Sequence, residues 1–492
     1  MLTKRPLSLA LLLLTVAATG QAATNEPPQD LSLKSAVETA LANNLNLTLK
    51  KEDTAIAAGS TEIARSRFDR YLSAETGLID SNSTSTYVRG VGDENSQYAD
   101  VSLNKRLTTG TEVAVGWANS RYDGDDPQLR INPAYKSMLE LTIRQPLLRG
   151  LGNEVQTGQL RAAEIEYTAS TYQVNSTAAD LAAQVKNSYW DLVFAWQDIE
   201  VKRFSASLAR TLLEETKTKI EAGALAEIEV YQPESELARR EEDLIAAEQA
   251  IGLAEDELKL LLNSKDWQSV YSPTDSPGTE PIEVEQEQVL ENALHNRPDL
   301  KAAKMYVDAS RIRQRVAEDD LRPQLNLNGR VGYGGLDDGY GQALDAAKDD
   351  PDTIWEVGLE LSVPLDNSAA RGSLQQARAQ HAKARTSMQL LRLDITKNVR
   401  TTVRNIELAI KAMEATRKTS LATKKSMEAE QAKFNAGRST TIDVLIAQET
   451  YARALSQENK TNIYYAKTLA ELDRIQGYVT LTSARQIDSN SH

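Results

Sequence analysis

The chain has 492 residues, a formal net charge of −14, 41% hydrophobic and 5% aromatic residues, and no cysteine. Without cysteine there is no thiol catalysis, thiolate metal site, disulfide or acylated N-terminal cysteine. The acidic balance disfavours nucleic acid, for which a local basic face would be needed and none stands out. The three histidines, His295, His381 and His492, are too scattered to suggest a metal site.

Lys4 and Arg5, an apolar stretch over 7–18 and Gly20-Gln21-Ala22-Ala23 form a secretory signal, 1–23, cleaved after Ala22 or Ala23. No later run approaches the ~20 apolar residues of a spanning helix. The mature chain is therefore expected to leave the cytoplasm and to cross any membrane with strands.

Ser32 or Ser35 is placed to cap a helix starting near Leu33, and a second helix is expected over 47–68. This unit recurs. Ala40-Leu41-Ala42-Asn43-Asn44 aligns with Ala293-Leu294-His295-Asn296-Arg297 at an offset of 253 (293 − 40). Pro298 predicts a break between the two helices of the second copy. A period of two then replaces the helical one, and strands are expected over 71–79, 87–91, 98–107, 111–122 and 135–147. In the second half they are expected over 324–333 and 353–363, joined by a Gly/Asp-rich loop over 334–352. Trp355, Val357, Leu359, Leu361 and Val363 alternate with Glu356, Gly358, Glu360 and Ser362. Such alternation fits a lipid-facing barrel strand and equally a half-buried strand of a soluble sandwich.

After each set of strands comes a very long amphipathic segment without proline. Val185, Tyr189, Leu192, Trp196 and Ile199 recur 214 residues later (399 − 185) as Val399, Val403, Ile406, Ile410 and Met413. Spacings of four and three define a coiled-coil seam. At ~1.5 Å per residue, about 65 residues give a rod of roughly 100 Å. Each rod ends in K-x-x-A-G, at Lys219–Gly223 and Lys433–Gly437, again 214 apart (437 − 223), and a return helix follows over 227–262 and 441–476. The offsets differ by 39 (253 − 214), so the first half carries extra residues, read as one additional hairpin near 71–107. The organisation is a first repeat over 24–270, a proline-bearing linker over 271–285, a second repeat over 286–478 and a polar tail over 479–492.

Order and duplication of these segments, with Asn296-Arg297-Pro298-Asp299-Leu300, Gln145-Pro146-Leu147-Leu148-Arg149-Gly150, Val363-Pro364-Leu365-Asp366-Asn367 and the two tips, make the chain resemble the TolC family of outer-membrane channels over its whole mature length. The resemblance implies a mainly α fold with β: long antiparallel coiled-coil helices, and four strands per chain pooled by a homotrimer into a twelve-stranded outer-membrane β-barrel. Most of the mass would stand in the periplasm of a Gram-negative bacterium, with lipid around the barrel. Physics independently asks for an oligomer, because four strands cannot close a barrel and an open edge in lipid leaves amides unpaired.

The resemblance further implies that the tips dock a periplasmic adaptor (membrane fusion) protein, itself joined to an inner-membrane pump of RND, ABC or MFS type. The tip residues are Ala222, Gly223, Ala224 and Leu225 in the first repeat, and Ala436, Gly437, Arg438 and Ser439 in the second. Acidic residues past the tips narrow the mouth in that family. Asp443 stands at one such position and Glu229 at its counterpart, while Ile446 replaces a second acid, so the gate would be part electrostatic and part apolar. The expected function is the exit duct of a tripartite efflux system. A type I protein-secretion conduit is the alternative within the fold, and a coiled-coil surface adhesin without a pore the alternative outside it. No Ser-His-Asp arrangement, P-loop, dinucleotide fingerprint or zinc spacing points to an enzyme, and no cofactor is expected.

Overall fold

A computed structural model describes residues 28–84, 91–125 and 129–478. The signal over 1–23, nearly all of the strand expected over 87–91, and the tail over 479–492 lie outside these residues.

The chain opens with β1 (Gln29–Leu31), α1 (Leu33–Asn43) and α2 (Leu45–Arg65). Ser32 starts α1 by accepting a hydrogen bond from the Ser35 amide at 3.2 Å. Asn44 ends α1 and caps α2, its Oδ1 taking the amides of Asn46 (2.9 Å) and Leu47 (3.2 Å). Such a cap is worth about 1 kcal/mol. A 3-10 turn over Ser66–Phe68 leads into four strands, β2 (Arg70–Thr84), β3 (Val91–Arg106), β4 (Glu112–Gly124) and β5 (Ala134–Pro146). Short α3 (Asn153–Gln156) precedes the first long helix, α4 (Gly158–Glu221). The return helix is α5 (Tyr231–Leu262).

The second half repeats the plan with α6 (Gln286–Asn296), α7 (Pro298–Asp319), β7 (Gln324–Asp337) and β8 (Asp352–Ser362), then the long α9 (Ser368–Asn435) and its return α10 (Thr441–Ile475). Pro298 is the first residue of α7, where its missing N–H costs nothing. Two features depart from the sequence reading. The connector between the halves contains β6 (Tyr271–Pro273), which pairs in parallel with β1. The loop expected over 334–352 contains α8 (Tyr340–Asp349), packed on β7 and β5. At ten residues the helix is too short for Tyr340, Ala343, Leu344, Ala346 and Ala347 to set a readable period.

The sheet is an antiparallel meander in the order β2-β3-β4-β5-β7-β8. Where the resemblance implies four strands per chain, this sheet holds six, because the extra hairpin, β2 and β3, joins it edge to edge. β3 pairs with β4 from Glu94↔Gly124 to Arg106↔Glu112.

Below the sheet the helices form one layer. α4 lies between α2 and α5 on one side and α7 and α10 on the other, and α9 lies beyond α7 and α10. The short helices meet end to end. Asn44 Nδ2 donates to the Leu261 carbonyl at 2.8 Å, and Asn292 Nδ2 to Gln476 Oε1 at 3.2 Å. Each pair thus acts as one stave beside a long helix. The seam expected from the sequence is the core: Val185, Tyr189, Leu192, Ile199, Val399, Val403, Ile406 and Met413 are buried, with Trp196 and Ile410 packed against them. The Tyr189 hydroxyl donates to the Leu31 carbonyl (3.0 Å) and to Asp275 Oδ2 (2.8 Å), and burial pushes its pKa up to about 12.

Candidate functional site

Both long helices end in the same way. Gly223 has φ +72° and Gly437 φ +70°, the left-handed region that L-residues with a Cβ avoid. A Cβ at either glycine would meet nothing within 4 Å, so the requirement is conformational, not steric. The next amide reaches back to the lysine carbonyl, Ala224 N to Lys219 O and Arg438 N to Lys433 O, each at 2.8 Å. Orphan carbonyls of the last turn are satisfied, and the chain reverses within a few residues. Ala222, Gly223, Ala224, Ala436, Gly437 and Arg438 are exposed, while Leu225 and Ser439 are half-buried.

The two tips are tied to each other. Lys219 Nζ lies 3.3 Å from the centroid of the Phe434 ring and donates to the Phe434 carbonyl at 2.9 Å. Phe434 packs with Leu212, Val444 and Leu445 in a small apolar cluster between the hairpins. Above it, buried Arg240 donates to the Ser205 carbonyl at 2.9 Å and binds Glu236 at 2.9 Å. Higher still, α4 and α10 are joined by Lys186–Asp473 (2.6 Å) and Arg474–Asp180 (2.9 Å).

Past the tips the copies diverge. The second return helix starts with a capping box. The Asp443 amide donates to Thr440 Oγ1 at 3.2 Å, and Asp443 Oδ2 accepts from the Thr440 amide at 3.3 Å and hydroxyl at 2.6 Å. These bonds hold the Asp443 carboxyl below its ordinary pKa. The first return helix starts with a 3-10 turn over Glu227–Val230 and no side-chain cap, and Glu229 within it is half-buried.

Asp443 and Ile446 share a shallow groove with Thr423, Ser426 and Glu430. Glu229 does not line this groove, being on the first hairpin. Glu430 was missed by the sequence reading. Its carboxylate accepts from the Ser439 hydroxyl and from Lys433 (2.9 Å), which lower its pKa, while the charge of Asp443 acts against them. The only sequence signal was a Glu three residues before the tip lysine, a spacing shared by many surface helices. Among the described residues no group of three or more His, Asp or Glu is placed to hold a metal ion. The arrangement offers charge and apolar surface beside the second tip.

Comparison with known proteins agrees with this geometry. Residues 289–478 match the family model "Outer membrane efflux protein". Outer membrane protein TolC of Vibrio cholerae serotype O1 is 24% identical over 336 residues, 68% of this chain and 75% of that protein. Among solved structures, the outer membrane protein VceC of Vibrio cholerae superposes with a TM-score of 0.67 at 15% identity, covering 91% of this chain and 96% of that one. The open-state MtrE outer membrane channel of Neisseria gonorrhoeae gives 0.64 at 18% identity, covering 91% and 89%.

Proposed function

We propose that this chain, a TolC-type efflux channel of the outer membrane and not an enzyme, works as a ring of three copies that forms the exit duct of a tripartite export system. The observation that carries the reading is that both edges of the single chain are unfinished. On one edge of the helical layer, Leu45, Leu49, Ile56 and Ile63 of α2 are exposed at 62–75%, and at 100° per residue they fall within a 40° arc. Ile245, Leu253 and Leu260 of α5 continue that edge. On the other edge, Leu390, Leu393, Leu408 and Leu421 of α9 are exposed. Two apolar edges that face away from each other suit a head-to-tail contact, which closes into a ring.

In such a ring the six tips of three copies surround the periplasmic mouth, and an adaptor hairpin seats between exposed Gly223 and Gly437 turns. An inner-membrane pump behind the adaptor supplies the cargo, so small-molecule efflux and type I protein secretion differ in partners and share this duct. Three copies of Asp443, with Glu430 beside each, gather carboxylates that attract cations and repel anions. Opening is a separation of the tips. The tip contacts, Lys219 on Phe434 and the small cluster under them, give way while the ion pairs between α4 and α10 hold the upper layer. Asp443→Ala should raise single-channel conductance in planar bilayers and weaken cation preference. Unchanged conductance and selectivity would remove Asp443 from the gate.

A further inference from the structure

The six strands form one wall with two faces. The registers from β2 to β8 put Leu72, Ala74, Leu78, Val101, Leu103, Val113, Val115 and Trp117 on the same face as Leu139, Leu141, Ile143, Val331, Trp355, Val357 and Leu359. The opposite face is mostly polar, with Tyr71, Ile79, Met138, Leu336 and Ile354 as apolar exceptions, and is hydrogen-bonded across strands: Tyr98 to Glu75 (3.1 Å), Ser73 with Ser102 (2.7 Å), Arg330 to Glu140 (2.6 Å) and Arg144 to Glu360 (3.1 Å). Apolar-out and polar-in alternation is what a barrel wall in lipid requires, and it extends through β2 and β3. The apolar band on β2 is Leu72 and Ala74, at the same height as Leu103 and Val101 of β3 and, one strand further, Val115 and Trp117 of β4. Beyond it the same face turns polar, with Gln97, Asn119 and Arg121 aligned.

An extra hairpin that served as an extracellular loop would need no apolar face at that height. Here Leu72 is exposed at 74%, as befits a residue that meets hydrocarbon. Moreover, β2 follows α2 after a single 3-10 turn, and β8 is followed within a few residues by α9. The outer strands of the sheet therefore stand over the outer staves of the helical layer, the same two edges that carry exposed leucines and isoleucines. β2 and β8 are the first and last of six alternating strands, so around a ring they meet antiparallel. Their outer backbone groups are unpaired within one chain, and in lipid that is tolerated only if another strand pairs them.

We propose that β2 of each copy pairs with β8 of the next, so that three copies close a wall of eighteen strands, six from each. The inference rests on the ring reading above but concerns which strands make the joint. Barrel diameter grows roughly linearly with strand number. The lumen at membrane level would then be about half again as wide as twelve strands give, while the same twelve helical staves stand below.

The test is to count strands in a cross-section of the single-particle density of the purified full-length protein in lipid nanodiscs. Eighteen strands in a three-copy ring are expected. A three-copy ring with twelve wall strands, β2 and β3 lying outside it, would overturn this inference and leave the ring intact. A preparation with no ring would instead overturn the functional reading. Cysteine pairs report the joint independently, because the chain has no cysteine of its own. Ala74→Cys combined in turn with Thr353→Cys, Trp355→Cys, Val357→Cys, Leu359→Cys or Leu361→Cys, the same-face positions of β8, should give an intersubunit disulfide in one combination. Crosslinking of Val115→Cys to Val357→Cys between copies would show that β4 meets β8 and would contradict the proposal.

Discussion

The two long helices come from one repeated plan and end in different surroundings. α4 buries twenty-five of its 64 residues and α9 eleven of its 68. Their shared seam is equally enclosed, with Val185 and Val399 both fully buried. The difference lies on the remaining faces. At the repeat offset, buried Ala179 of α4 corresponds to Leu393 of α9, which is 68% exposed, and Phe194, packed on the core, corresponds to exposed Leu408. α4 is an interior stave with neighbours on both sides, whereas α9 is an edge whose leucines suit a surface supplied by another copy.

Truncation should separate these roles most strongly. Leu192→Ala in the α4 seam removes a fully buried side chain and should cost about 2–5 kcal/mol, read as a large fall in Tm by circular dichroism. Leu393→Ala should change the stability of the single chain by no more than ~0.5 kcal/mol and yet weaken the ring, read as dissociation of the detergent-solubilised oligomer on dilution. Equal loss of Tm in the two variants would erase the distinction between interior and edge.

The tips sharpen the comparison at smaller scale, since there the copies agree. Gly437→Val forces a β-branched residue to φ +70° and should cost about 1–2 kcal/mol locally. Export measured as drug or protein release should fall while the ring persists, and Gly223→Val should behave alike. Full export in both variants would remove the tips from docking.

The smallest effect belongs to the one place where the tips differ. Thr440→Ala should cost about 1 kcal/mol at the start of α10, whereas the first hairpin has no side-chain cap to lose at Ala226. The Asp443 carboxyl sits below its ordinary pKa, so the unfolded chain takes up its proton first as pH falls. The capping contribution is then fully present above the ordinary Asp range and is lost as pH falls through the lowered folded value. Cation selectivity measured against pH should persist through mild acid in the native channel and fade at higher pH in Thr440→Ala. Coincident profiles would show that the cap does not set the charge of the mouth.

Much of this was legible in the sequence because the fold is repeated. The four-and-three spacing of Val185 to Ile199, the tip glycines and the alternation in β8 each have a counterpart that raises a weak local signal. α8 and β6 occur once and are short, and they were not found. The groove beside the second tip was half legible. Asp443 and Ile446 follow the tip at a readable distance, but Glu430 enters through the packing of α9 against α10, and its first-repeat counterpart is the buried Thr216. Nor could periodicity say whether the extra hairpin joins the sheet, because that depends on pairing between β3 and β4 across the short turn over 108–110.

The claim beneath all of this is that one chain is an unfinished third of a cylinder. Native mass spectrometry of the full mature protein released from detergent micelles tests it most directly. A species of three chains, with no stable single chain at working concentration, is the predicted result. A monomer that stays in solution without detergent would contradict the account.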